Sequence, residues 1–455
     1  MKKKLSIALA AFMLFSTLSL TACGAGDDTL VLRVGSWDEY IDEGGEDSYA
    51  ENADALYEEF AEWYFDEYGK KVRVEYVALQ DNETMYTKIK LGDNYDLLCP
   101  SEYMMMKLVA ENKLEMYPES FFDKSQEHNY YAKYVSPYID NGVDGIFNVG
   151  KTADGKSWRD YTAGYMWGTT GFVINPKRVT AEAASSWSIF KNPDFSGKIT
   201  AKDNVRDAYF VGLGMYYENN LLDLQSALGS SPTQAQMLEY QAELKRMMND
   251  TSTQTVNGVY GELEQMRKNL YGLETDEGKM DIITEKFDIS YQWSGDAVYV
   301  LDKAEDFDLS LQYVIPQAAS NLWFDGWVML KGISEEKKEA AMAFVNFLSR
   351  PDNVIRNMYY IGYTSCISGN QDNKEIFEYI CSPDMYGAEE DESDFNYDVS
   401  YFFGDNHIIP TTIDQTSRQL FAQYPDEKTI SRLVVMDYFP TEVNADINRM
   451  WIVLK

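Results

Sequence analysis

Between Leu30 and Cys99 the chain alternates strand and helix patterns in a single order, and that order restricts the fold more than any other feature. Leu30 to Trp37 alternates as a strand and runs into a loop carrying Tyr40. A helix follows, with Leu56, Phe60, Trp63 and Tyr64 on one face and Gly69 as its stop. Val72 to Val77 reads as a second strand. A helix through Ile89 comes next, with Asp81 or Asn82 as its N-cap. Tyr95 to Cys99 is a third, buried strand leading to Pro100, Ser101, Glu102 and Tyr103. Strand, helix, strand, helix, strand is α/β order and implies a mostly parallel sheet. Ligands of such sheets sit beyond the carboxyl ends of the strands. Trp37, Tyr40, Ser101 and Tyr103 lie in the loops at those ends.

The middle of the chain repeats this organisation. Met166 to Ile174 reads as an apolar strand, and Ile199 to Lys202 leads to a helix start at Asn204 to Asp207. The stretch from Gln236 to Met248 is helical in pattern, and a strand over Asp288 to Gln292 leads to Trp293 and Asp296. Ser334 caps a helix with Ala341, Phe344, Val345 and Leu348 on one face, stopped by Pro351. No internal repeat is visible. Glu389 to Asp398 is a solvated acidic loop by composition.

The first residues set the address. Lys2, Lys3 and Lys4 precede an uncharged apolar run, Leu5 to Leu20, too short for a comfortable membrane span. Leu20-Thr21-Ala22-Cys23 resembles the lipobox of bacterial lipoproteins, in which Cys23 would receive lipid and become the mature N-terminus. Residues 1–22 are therefore expected to be a signal peptide and 23–29 a tether. The formal net charge of −34 repels nucleic acid and favours the capture of cations. Cys99, Cys366 and Cys381 match no zinc spacing and make no disulfide framework, and Cys99 reads as a small buried hydrophobe. With two histidines in 455 residues, histidine-based metal or nucleophilic chemistry is not expected.

The segment Asn321 to Trp327 (NLWFDGW) sets one carboxylate among three rings. Trp323 and Asp325 alternate on an extended chain, so both can face one side, leaving Phe324 and Trp327 to pack inward. Residues falling at strand ends form a set: Trp37, Tyr40, Ser101, Tyr103, Asp207, Trp293, Asp296, Trp323, Asp325 and Tyr363. The set has many rings and three acids, with no Lys or Arg collected into it. Such a combination suits an elongated organic cation. Ammonium groups make charge-assisted hydrogen bonds to carboxylates, and ring faces add cation–π attraction of about 0.5–2 kcal/mol. Asp38 and Asn204 are weaker additions to the set. Asp96, inside a strand pattern, reads as a structural hydrogen-bonding acid.

Several stretches stand together in register: Trp37-Asp38-Glu39-Tyr40, Asn82 to Tyr86, Tyr95-Asp96-Leu97 with Pro100-Ser101 and Tyr103, and Gly168 to Asn175. Trp293 to Asp296, Trp323-x-Asp325, Asn346 to Pro351, and Ile361-Gly362-Tyr363 complete the series. With them the chain resembles the spermidine/putrescine-binding proteins of bacterial polyamine ABC transporters over nearly its whole mature length. The resemblance implies an α/β, two-lobed type II periplasmic-binding-protein fold with the ligand in a cleft between lobes. Residues 30–168 with 324–370 would form one lobe, and 169–323 with 371–455 the other. It implies no enzyme activity, no cofactor and no metal. The expected partners are a polyamine, ABC permease subunits and the membrane reached through the lipid on Cys23, with the protein a monomer outside the cytoplasm. By the same resemblance the ten residues of the set fall on ligand-contacting positions. Asp325 matches the acid that holds a terminal amine, and Asp207 matches a family Glu. Two departures concern specificity. Asn204 stands where spermidine receptors commonly carry a second Asp. Asp296 stands where they often carry Ser, whereas putrescine receptors resemble this chain in having Asp. Weaker binding at high salt and high pH is expected. The rival solutes for the same fold are thiamine, an aminophosphonate and ferric ion.

Overall fold

A computed structural model of the chain describes residues 28–140, 157–274, 278–389 and 391–455. The expected signal peptide, Cys23 and most of the tether lie outside the described residues. Eleven strands of the twelve-stranded main sheet among the described residues position the site. Near the N-terminus are β1 (Leu30–Trp37), β2 (Val72–Leu79), β3 (Leu97–Leu98) and β4 (Leu114–Glu115). A long β5 (Ala163–Ile174) is followed by β6 (Ile199–Lys202), β7 (Gly272–Glu274), β8 (Ile289–Trp293) and β9 (Gln312–Val314). A second long strand, β10 (Ser320–Leu330), precedes β11 (Thr364–Ser365).

Their spatial order is β2-β1-β3-β10-β5-β8-β6-β7. At one end β1 pairs parallel with β2 and β3; at the other β6 pairs parallel with β7 and β8. The α/β order read from the first hundred residues thus recurs at both ends. The centre is different: β5 and β10 run antiparallel to each other, and every residue of β5 is buried. The last residues of β10 pair with β3 and β4, whereas the last residues of β5 pair with β8 and β9. Each long strand therefore begins beside its partner and ends in a different half of the sheet.

Local signals act as the sequence predicts. The helix Leu56–Tyr68 ends at Gly69, whose φ of 63° is the left-handed conformation that favours glycine. Asp81 accepts a hydrogen bond from the Thr84 N–H at 2.6 Å and caps the helix Asn82–Leu91. The Ser334 hydroxyl accepts from the Lys337 N–H, capping Glu335–Leu348. Pro351 opens the next helix, Pro351–Ile361, as an N1 proline. The third strand is shorter than expected, two residues rather than five, although the Asp96 and Cys99 N–H groups still donate to the Arg33 and Gly35 carbonyls of β1; the Asp96 side chain is the structural acid expected. Its carboxylate accepts the Arg33 N–H and the Lys337 ammonium, both at 2.8 Å. Cys99, Met104 and Met105 are buried in the core, as are Phe324 and Trp327.

Candidate functional site

β10 supplies the centre of the site. Between Asp325 and Gly326 its pairing with β5 slips by one residue. The Gly326 N–H then turns to the Pro100 carbonyl, and Ser101 bridges to Asp325. The Asp325 carboxylate lies under two donors: the Tyr40 hydroxyl at 2.7 Å and the Trp37 indole N–H at 2.9 Å, both on Oδ2. Oδ1 is buried and has no hydrogen-bond partner among the described residues. Burial pushes the carboxyl above its ordinary value, opposed by Ser101, Tyr40 and Trp37. Next to it Glu102, buried and accepting the Phe324 N–H at 3.2 Å, is pushed up to about 8 by burial and by the charge of Asp325.

A chain of rings leads away from this acid. Tyr40 meets Tyr363 edge-on at 5.7 Å between centroids, and Tyr363 meets Trp323 at 5.3 Å. The Trp323 indole N–H is tied to the Thr169 carbonyl at 3.0 Å. Two glycines make room for these rings. A Cβ at Gly295 would fall 1.5 Å from the Tyr363 ring, and one at Gly168 would fall 2.6 Å from Trp323.

The far end is built by β6, β8 and the helix that follows each. Asp296 lies in the first turn of the helix Ser294–Glu305, and its Oδ1 accepts the Tyr363 hydroxyl at 3.1 Å. Lys202, the last residue of β6, donates to Oδ2 at 2.7 Å and is 1% exposed. Lys279 pairs with Oδ1 at 2.9 Å. Burial works against ionisation of Asp296, but the two ammonium groups outweigh it and hold the carboxyl below its ordinary value. The Lys202 ammonium also lies 4.1 Å from the centre of the Trp293 ring. Trp293 donates its indole N–H to Asp207 at 3.3 Å, and burial pushes that carboxyl up to about 6.

The structure thus brings Trp37, Tyr40, Ser101, Tyr363, Trp323, Asp325, Trp293, Asp296 and Asp207 into one linked group. Tyr103 joins it less directly. Its hydroxyl donates to Glu83 at 3.1 Å, and the Arg206 guanidinium lies 4.8 Å from its ring. Two weaker candidates have other duties. Asp38 is exposed on the turn after β1. The Asn204 side chain accepts the Arg206 and Asp207 N–H groups and caps the helix Val205–Leu228. The set collected from the sequence held no Lys or Arg, whereas Lys202 and Lys279 pair with Asp296 and the Arg206 guanidinium lies over the Tyr103 ring. Three acids buried together without counter-charges would be costly, and for Asp296 the chain supplies the counter-charges itself. Lys202 ends β6 directly before the helix start read at Asn204 to Asp207, and that position at a strand end is the signal that could have found it.

A family model described as bacterial extracellular solute-binding protein matches residues 55–380. The chain belongs to this family. Among curated relatives of this solute-binding protein is the spermidine/putrescine-binding periplasmic protein of Escherichia coli (strain K12). It is 25% identical over 348 residues, 76% of this chain and 80% of the relative. The putrescine-binding periplasmic protein SpuD of Pseudomonas aeruginosa is 23% identical over 360 residues, 77% and 82% of the two chains. Among solved structures, the substrate-binding protein PotD of a Streptococcus pneumoniae spermidine/putrescine ABC transporter, in complex with calcium and HEPES, matches with a TM-score of 0.57. It is 24% identical, and the match covers 93% of this chain and 98% of that one. The Tp0655 (TpPotD) lipoprotein of Treponema pallidum matches with the same TM-score at 16% identity, covering 93% and 99%. The fold is the type II periplasmic-binding-protein fold, as expected from the sequence. The solute-binding family is one of transport proteins and not of enzymes. No helix among the described residues is long and apolar enough to cross a membrane.

Proposed function

We propose that this solute-binding protein captures a polyamine, putrescine or spermidine, outside the cytoplasm and delivers it to the permease of an ABC transporter. One observation carries the proposal: the buried Asp325 carboxylate, held by Trp37 and Tyr40 with Ser101 beside it, keeps its Oδ1 without a hydrogen-bond partner among the described residues. A ligand ammonium is the donor that such a site lacks, and charge-assisted bonds of this kind contribute on the order of 1.5–3 kcal/mol. The rings between Asp325 and Asp296 would line the methylenes, with Tyr103, Ser101, Trp293 and Asp207 completing the contacts. The names of the curated relatives point to the same ligands.

The two halves on either side of β5 and β10, residues 30–168 with 324–370 and 169–323 with 371–455, are the lobes that close on the ligand. Closing over unneutralised acids is unfavourable, so the ligand's charge biases the closure. Lipid on Cys23 would hold the protein at the membrane as a monomer, a mode consistent with the Treponema lipoprotein of the same fold. Thiamine, aminophosphonate and ferric ion have no support in the relatives' names. Calorimetry with putrescine, cadaverine, spermidine and spermine tests the proposal. Wild-type protein indifferent to all four amines would sink it.

A further inference from the structure

Both oxygens of Asp296 are occupied by the protein itself. Lys202 takes Oδ2, while Lys279 and the Tyr363 hydroxyl share Oδ1. The face of Trp293, which would otherwise receive a ligand cation, lies against the same Lys202 ammonium. Asp325 is in the opposite condition, with a buried oxygen that has no donor among the described residues. Among the described residues the Asp207 carboxylate takes one long bond, from Trp293 at 3.3 Å, and it also lies in the field of Lys202 and Arg206. Of the remaining acids near the cleft, Glu83 accepts the Tyr103 hydroxyl and Glu102 accepts the Phe324 N–H. Asp325 therefore has an oxygen for a ligand ammonium, Asp207 has room for one within the field of Lys202 and Arg206, and Asp296 is closed by an ammonium that is part of the chain.

We propose that Lys202 is a tethered ammonium filling the Asp296 end of the cleft, so that the cleft selects a diamine over a longer triamine. Lys279 backs it from the neighbouring helix. A third ligand charge reaching toward Asp296 would meet Lys202 at a carboxylate with no oxygen left to offer, and buried like charges repel strongly. Asp296 then acts as the anchor of a charge that shortens the site.

The inference rests on the polyamine reading, and the two can be separated. Putrescine and spermidine are titrated calorimetrically into wild type, Lys202→Met and Lys279→Met, with circular dichroism and thermal melts confirming that each variant folds. Wild type is expected to bind putrescine at least about tenfold tighter than spermidine. In Lys202→Met that ratio should fall by about tenfold or reverse, with a smaller change of the same sign in the more exposed Lys279→Met. Should Lys202→Met not fold, Lys202→Gln takes its place, and the wild-type ratio remains decisive. A wild type that prefers spermidine, or a folded Lys202 variant with an unchanged ratio, overturns the inference and leaves the polyamine reading intact. Wild type that binds neither amine overturns both.

Discussion

The two ends of the cleft hold the same chemical group in opposite electrical states. Asp325 is buried with neutral donors on one oxygen and, among the described residues, no hydrogen-bond partner on the other, and burial pushes its carboxyl up. Asp296 is equally buried, yet two lysines hold its carboxyl below the ordinary value. An acid left short of partners favours an incoming cation, whereas an acid already neutralised is part of the framework. Ligand capture and structural stability are thereby assigned to different residues of one site.

Exchanging the roles of the two acids is the most direct way to break this contrast. Asp296→Asn removes the counter-charge of a buried lysine and should lower stability by about 3–5 kcal/mol, read by denaturant unfolding. Asp325→Asn should leave the ligand-free protein as stable or more so, since a strained charge disappears, while amine affinity falls about 10- to 100-fold in calorimetry. A stable Asp296→Asn protein together with a destabilised Asp325→Asn protein would reverse the comparison.

Acidity sharpens it further. Asp207 must be ionised to hold an ammonium, and its carboxyl is pushed up to about 6. Affinity should therefore fall as pH drops through about 6, by roughly tenfold between pH 7 and pH 5, and Asp207→Asn should flatten that slope. The stability of the ligand-free protein should move the other way. A folded carboxyl above its unfolded value contributes stability at low pH that is lost as pH rises through the interval. For Glu102 that interval reaches about 8. Melting temperature should thus decline from pH 5 to pH 8, less steeply in Glu102→Gln. The smallest effect expected is that of salt: raising ionic strength should weaken amine binding only a few-fold, because buried charges are incompletely screened.

Much of this was legible in the sequence where the determinants are local. The alternation of Leu30 to Trp37, the Gly69 stop, the Asp81 cap and the two faces of Asn321 to Trp327 each depend on neighbours within a few residues. Trp323 and Asp325 do reach the same ring chain, Phe324 and Trp327 do turn into the core, and the fold class follows from the element order. What escaped was pairing at long range. Lys202 meets Asp296 across 94 residues, and Lys279 arrives from a short helix with no pattern of its own. Collecting rings and acids at strand ends passed over the cation that ends β6. Glu102 was missed between Ser101 and Tyr103 because no periodicity reports that a surface-type residue is 1% exposed. Asn204 was weighed for its place in the ligand set, while its local chemistry made it a helix cap.

The crossing of β5 and β10 also has a consequence for biogenesis. β3 completes its pairing only with Val328 and Met329, and β4 only with Met329 and Leu330. While the chain is being made, the first half-sheet therefore waits with an open edge until the ribosome has passed residue 330. Unpaired edges and uncovered apolar faces are where nascent proteins aggregate. A polypeptide of this topology depends on being kept from folding, or from meeting its neighbours, until its second long strand emerges.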